Sequence, residues 1–140
     1  MKLGGHRGMG RTDYELFYQL RDTDNLPAEN TLESFAAAYK AGADYFETDA
    51  VMSGDGVVFT LHNVLPNERF CGDRIPPKLL NKMNCADIKQ YKSGRHQKGE
   101  IPRLEDVLAF AAEADPRTLP WAMNLEIKGV ILSDQPCESN

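Results

Sequence analysis

Residues 42–49 read Gly-Ala-Asp-Tyr-Phe-Glu-Thr-Asp, and an apolar Ala-Val-Met run and a Ser-Gly-Asp-Gly turn follow them directly. The stretch from 44 to 52 predicts a strand that the turn ends, with Val-Val-Phe-Thr-Leu at 57–61 as the next strand. Glu47 and Asp49 are two positions apart, so both side chains project from one face of the first strand.

Helical patterns and further short strands flank this hairpin. Apolar residues recur from 32 to 39 with the spacing of one helix face, with Asn30 as the predicted N-cap and Gly42 at the C-terminal end. A second helical pattern begins at 104, and strands are predicted near the N-terminus and from 121 to 127. This alternation of strands and helices favours an α/β architecture.

Ionisable residues follow the ends of the other predicted strands as well. The chain reads His-Arg-Gly at 6–8, His-Asn at 62–63 and Glu-Ile-Lys at 126–128. A (β/α) barrel builds its active site from acids and bases at the ends of several strands. The sequence therefore favours an enzyme whose site lies at one end of a sheet.

Each of these residues has a functional and an ordinary interpretation. Glu47, Asp49 and Glu126 offer three hard oxygen donors, which suit Mg²⁺ or Ca²⁺ better than zinc. The alternative is that the Glu-x-Asp pair lies on a solvated edge strand with both acids facing water. His6 and His62 could transfer protons near neutral pH, or could simply cap strands.

The basic residues are open to the same two interpretations. Arg7 offers a bidentate fork for phosphate oxygens and Lys128 offers a point charge, yet either could form an ordinary surface salt bridge. Only the combination of all these groups is specific.

Composition limits the class of protein. The 140 residues are 41% hydrophobic and carry a formal net charge of −5, which argues against a nucleic-acid-binding protein. The three cysteines are scattered, so neither a disulfide framework nor a zinc site is expected. Neither a secretory segment nor a membrane-spanning run is found, and a cytoplasmic location is therefore expected.

The order of the motifs resembles the glycerophosphodiester phosphodiesterase family. The resemblance extends from residue 4 to about residue 129, and it rests on six motifs in the family's order: His-Arg-Gly (6–8), Glu-Asn-Thr-x-x-Ser-Phe (29–35), Gly-Ala-Asp-Tyr-x-Glu-x-Asp (42–49), the turn and strand leading to His (55–62), Ile-Pro-x-Leu-Glu-Asp-Val-Leu (101–108) and Asn-Leu-Glu-Ile-Lys (124–128).

This resemblance implies a TIM barrel of the phospholipase-C-like phosphodiesterase type, with one divalent cation, Mg²⁺ or Ca²⁺. The implied reaction is hydrolysis of glycerophosphodiesters to glycerol phosphate and an alcohol, in which a glycerol hydroxyl attacks phosphorus to give a cyclic phosphate. The implied roles are proton transfer by His6 and His62, cation binding by Glu47, Asp49 and Glu126, and substrate binding by Arg7, Lys128 and Glu29.

The chain also departs from the family pattern. Asn63 follows the second histidine where the family most often has Asp, residues 9–28 form a longer inserted loop, and residues 129–140 match no family motif. A barrel of this type needs ~250 residues and eight strands, whereas about four strands can be counted here. Residues 1–140 are therefore expected to be one incomplete domain, the N-terminal half of a barrel.

Two alternatives follow from that expectation and from the motifs. The chain could be an inactive fragment or an interaction module that self-associates through the exposed edges of a half-barrel. A narrower alternative is a sphingomyelinase-D-like lipase, whose barrel shares the His and Glu-x-Asp arrangement.

Overall fold

The computed structural model describes residues 1–9, 26–64, 78–93, 99–114 and 121–129. A helical turn predicted around Tyr14 to Leu20 lies outside these ranges, as do most of the predicted inserted loop and of the C-terminal tail. The elements in chain order are β1 (Gly4–Gly5), α1 (Leu32–Lys40), β2 (Tyr45–Met52), β3 (Val58–Thr60), a 3₁₀ turn (Leu80–Lys82), α2 (Cys85–Ile88), β4 (Lys92–Ser93), β5 (Gly99–Glu100), α3 (Leu104–Ala114) and β6 (Ala122–Ile127).

Strand β2 is the centre of a four-stranded sheet. β1 and β6 both run parallel to it, and β3 returns antiparallel to it after the turn at 53–56, as the hairpin pattern predicts. Ala50 pairs with Thr60 on one edge of β2 and with Ile127 on the other edge. β1 and β3 therefore share one edge of β2, and β6 takes the opposite edge.

The two faces of β2 pack against different sets of apolar side chains. On one face, Phe46 is fully buried with its ring centroid 4.7 Å from that of Phe35 and 4.6 Å from that of Trp121. Each such aromatic pair contributes about 0.5–1.5 kcal/mol beyond the burial of its area. On the other face, Val51 packs with Phe59 in a second core cluster. Alternation along the strand puts the two acids of β2 on this second face.

Helix α1 begins one residue later than the sequence pattern indicates. Thr31 is the N-cap, because its hydroxyl accepts from the Ser34 amide while the Ser34 hydroxyl accepts from the Thr31 amide. The prediction of Asn30 as the cap is therefore wrong, since its side chain bonds to β2 instead. Gly42 follows the helix end as predicted. Among the described helices, none is long and apolar enough to cross a membrane.

The turn after β1 depends on a glycine. Gly8 has φ +80°, and a Cβ added there would lie 2.4 Å from the Ser34 hydroxyl oxygen and 2.6 Å from the Ser34 carbonyl carbon. Gly56 has a similar φ of +83° but open space around it. The two positions separate the cost of the backbone conformation from the cost of a steric clash.

We expect Gly8→Ala to destabilise the protein more than Gly56→Ala. Both variants bear the left-handed backbone cost of about 1–2 kcal/mol. Only Gly8→Ala adds overpacking against a buried helix start, which costs roughly 1–3 kcal/mol more. Urea unfolding of the two variants measures the difference, and equal losses of unfolding free energy would contradict the role assigned to the contact with Ser34.

Candidate active site

Three carboxylates meet at one place on the sheet. Glu47 and Asp49 share a face of β2, and the parallel register pairs Asp49 with Glu126 of β6. Ligand oxygens of the three residues all lie within 4.8 Å of one another. Asp49 is buried, Glu47 is half-buried and Glu126 is exposed. Because β2 is central and Asp49 is buried, the alternative of two acids facing water on an edge strand does not describe this pair.

The two oxygens of Asp49 have different surroundings. Oδ2 accepts a hydrogen bond from Asn30 Nδ2 at 3.0 Å and lies 3.3 Å from Arg7 Nε. Oδ1 is buried and accepts no hydrogen bond of good geometry, although Lys128 Nζ lies 3.2 Å away. A buried carboxylate oxygen that accepts no hydrogen bond, and that lies beside two further carboxylates, is a suitable ligand for a hard divalent cation.

Lys128 lies against the carboxylate cluster. Its main-chain amide donates to the carbonyl of Ala50 at 2.9 Å, which extends the β6 pairing by one residue. Its ammonium group forms ion pairs with Asp49 and Glu126. Burial lowers the pKa of Lys128, but the contacts with Glu126 and Asp49 outweigh it and raise the pKa above its usual value. Lys128 therefore keeps its positive charge through neutral pH.

Arg7 and Glu29 form a buried ion pair next to the carboxylate cluster. The Arg7 side chain is buried, and its Nη1 lies 3.1 Å from both carboxylate oxygens of Glu29, which is also buried. The Arg7 main-chain amide donates to Glu47 Oε2 at 2.9 Å. Arg7 thus touches Glu29, Glu47 and Asp49, so its guanidinium supplies positive charge from the interior side of the site.

The two histidines follow the two strands that share an edge of β2. His6 follows β1, and its Nε2 lies 3.7 Å from Glu47 Oε2, with 62% of the side chain exposed. His62 follows β3, where the Leu61 amide donates to the Asp49 carbonyl. His6 thus lies near the cluster through its own side chain, whereas the segment of His62 is joined to it by the main-chain hydrogen bond between Leu61 and Asp49.

Asn63 contacts the second histidine. His62 Nδ1 lies 2.7 Å from Asn63 Oδ1. Because an amide oxygen only accepts, this contact is a hydrogen bond in the tautomer that carries its proton on Nδ1, and in that tautomer Nε2 has a lone pair for a second partner. The residue that departs from the family pattern thus still provides an acceptor for the ring, without the negative charge of an Asp.

Asn30, which is not among the predicted site residues, contacts the site, and Thr48 in turn contacts Asn30. Asn30 donates to Asp49 Oδ2 and accepts from the Thr48 hydroxyl at 2.9 Å. The signal was present in the Glu-Asn-Thr motif at 29–31, but Asn before a helical pattern is also a good cap. Thr48 lies between the two acids in sequence and faces the other side of the strand.

A model of the glycerophosphoryl diester phosphodiesterase family matches residues 6–130. The chain belongs to this family. It is 29% identical over 117 residues to a glycerophosphodiester phosphodiesterase of Caldanaerobacter subterraneus, covering 79% of this chain and 44% of that protein. It is 32% identical over 105 residues to a glycerophosphocholine phosphodiesterase of Schizosaccharomyces pombe, covering 65% of this chain and 9% of that protein.

Solved structures show the same fold. A phosphodiesterase of Oleispira antarctica, in complex with the product sn-glycerol-3-phosphate, superposes with a TM-score of 0.65 at 24% identity. The match covers 91% of this chain and 44% of that chain. The sheet formed by β1, β2 and β6 is therefore part of a TIM barrel, as the family resemblance implied. The chain spans less than half the length of each of these three relatives.

Proposed function

We propose that the protein hydrolyses glycerophosphodiesters to glycerol phosphate and an alcohol, with one Mg²⁺ or Ca²⁺ held by Glu47, Asp49 and Glu126. The observation that carries the proposal is the convergence of these three carboxylates within 4.8 Å. Membership of the family supports the reaction class, as does the sn-glycerol-3-phosphate bound to the structural relative. A divalent cation, when bound, supplies charge stabilisation to a reacting phosphate and orients it.

The basic residues serve the phosphate group in this proposal. Lys128 presents its ammonium at the surface of the cluster, where an anionic substrate meets the carboxylates. Arg7 adds positive charge from below, and Glu29 holds its guanidinium in place. A divalent cation, Lys128 and Arg7 together supply four positive charges. The negative charges number five, from the phosphodiester and from Glu29, Glu47, Asp49 and Glu126, so most of the negative charge is balanced.

In this proposal His6 and His62 perform the proton transfers of the reaction. Cleavage requires removal of a proton from the attacking hydroxyl and delivery of one to the leaving alkoxide. In the tautomer that donates from Nδ1 to Asn63, His62 can accept a proton at Nε2. His6, beside Glu47 and largely exposed, is placed to exchange a proton with substrate or solvent. We assign proton transfer to this pair without dividing the two steps between them.

Removal of the cation is expected to abolish hydrolysis of glycerophosphocholine. Chelation leaves three clustered carboxylates facing an anionic substrate, so both binding and phosphate activation are lost. Release of glycerol phosphate, measured with EDTA and after addition of Mg²⁺ or Ca²⁺, tests this expectation. Full activity in EDTA would overturn the cation's role.

The choice of substrate tests the reaction itself. Choline release from lysophosphatidylcholine, with no hydrolysis of the water-soluble diester, would instead support the sphingomyelinase-D-like alternative. Hydrolysis of the water-soluble diester supports the function proposed here.

We expect the 140-residue chain on its own to be poorly folded or self-associated, and to hydrolyse glycerophosphocholine far more slowly than a complete barrel. Among the described residues, the outer edges of β1 and β6 have no neighbouring strand, and Ile127 at the end of β6 is 80% exposed. Unpaired edges with apolar side chains favour pairing with another chain. Sedimentation velocity and thermal unfolding test this, and a cooperatively melting monomer with full activity would contradict it.

A further inference from the structure

Asn30 fills the gap between β1 and β3, and its main-chain groups join the two strand ends. Its amide donates to the carbonyl of Arg7, just beyond β1, at 3.0 Å. Its carbonyl accepts from the hydroxyl of Thr60, the last residue of β3, at 3.0 Å. The residue is 1% exposed and has φ +57°, a left-handed conformation that Asn tolerates better than most residues.

The side chain of Asn30 is held in one orientation. A carboxylate only accepts hydrogen bonds, so Nδ2 must face Asp49 Oδ2, at 3.0 Å. Oδ1 then faces Thr48, whose hydroxyl donates to it at 2.9 Å. Every polar group of this buried residue therefore has a partner, and two of those partners are neighbours on β2.

These bonds fix the orientation of the Asp49 carboxylate plane. Asn30 and Arg7 both approach Oδ2, whereas Oδ1 lies 3.2 Å from the ammonium group of Lys128, which also pairs with Glu126. A rotation of the carboxylate would break the hydrogen bond from Asn30. Partners that hold a ligand in this way commonly change cation affinity by about 10- to 100-fold when they are removed.

We infer that Asn30 is a positioning residue that fixes the Asp49 carboxylate for cation binding, with Thr48 holding the Asn30 amide. The inference rests on the cation site proposed above. It goes beyond that site because Asn30 is not one of the three carboxylates and donates to Oδ2 of Asp49, whereas Lys128 contacts Oδ1.

The first test is Asn30→Gly, titrated calorimetrically with Ca²⁺ and with Mg²⁺. Glycine adopts the same φ without strain, so the substitution removes the side chain and keeps the main-chain hydrogen bonds. We expect the affinity for the ion to fall by about 10- to 100-fold. Thermal unfolding without the ion, run in parallel, reports any loss of stability separately.

Two matched threonines separate positioning from a general loss of structure. Thr48→Val removes the donor to the Asn30 side chain, and Thr60→Val removes the donor to the Asn30 main chain. Both residues are buried and both substitutions keep the shape of the side chain. We expect Thr48→Val to weaken ion binding and Thr60→Val to leave it unchanged, although each lowers the melting temperature.

The outcomes distinguish this inference from the proposed cation site. Unchanged ion affinity in Asn30→Gly, or equal losses in the two threonine variants, overturns the positioning role and leaves the cation site intact. If Asn30→Gly does not fold, the comparison of ion affinity between Thr48→Val and Thr60→Val tests the positioning role instead. Failure of the unaltered protein to bind either ion overturns both the site and the inference.

Discussion

His62→Ala is expected to lower kcat for glycerophosphocholine by about 10²-fold or more, and His6→Ala is expected to do the same. The reason is that each imidazole performs a proton transfer in the proposed reaction, and an alanine side chain can neither take up nor release a proton. His62 is oriented by Asn63, and His6 lies beside Glu47 at the rim of the cluster. Steady-state kinetics of the cation-loaded complete barrel, with and without each substitution, measure both effects.

Added imidazole separates a chemical role of the histidines from a structural one. A variant that has lost only a proton-transfer group should regain part of its activity with free imidazole, whereas a misfolded variant should not. Lys40→Ala, at an exposed position in the last turn of α1, is the control and should keep its rate. A near-normal rate from either histidine variant would remove that residue from the proposed reaction.

Glu47→Gln is expected to reduce the affinity for Mg²⁺ and Ca²⁺ strongly. Loss of a residue that only hydrogen-bonds to a metal ligand costs about 10- to 100-fold in affinity, and loss of a charged ligand such as Glu47 is expected to cost more. The substitution keeps the shape of the side chain but removes one of three negative charges, and hard cations respond strongly to the charge of their ligands. Calorimetric titration measures the loss directly, without any need for turnover.

The matched control for this variant is Glu113→Gln on α3. Glu113 is exposed on the helix and lies outside the carboxylate cluster, so the same chemical change there should leave ion affinity unaltered. Equal affinity of Glu47→Gln and the unaltered protein would remove Glu47 from the cation site. A similar loss in both variants would show that the effect arises from net charge alone.

Much of the sheet could be predicted because local patterns and tertiary contacts agree there. The strand predicted at 44–52 is found at Tyr45–Met52, and the turn at 53–56 does form a hairpin. The short strands Lys92–Ser93 and Gly99–Glu100 were not predicted. Each has only two residues, so neither contains enough alternation to identify it.

The site could be predicted only in part. The alternation of residues along a strand shows which side chains share a face, but it does not show which other side chains they contact. The grouping of Glu47, Asp49 and Glu126 followed from strand alternation and family order, and the three side chains do converge. The pairing of Arg7 with Glu29 could not be anticipated, since their contact depends on how the chain turns after β1. Asn30 was misassigned for the same reason, because its bond to Asp49 prevailed over the local capping preference.

The central position of β2 has a consequence for the order in which the molecule folds. The β2–β3 hairpin closes across a tight turn, whereas β6 must pair residue 122 with residue 45 across a long stretch of chain. Contacts this distant in sequence carry the larger loop-closure entropy and form slowly. Glu126 reaches Asp49 only with that pairing, so we expect the carboxylate cluster to be completed late in folding, together with the packing of Trp121 against Phe46.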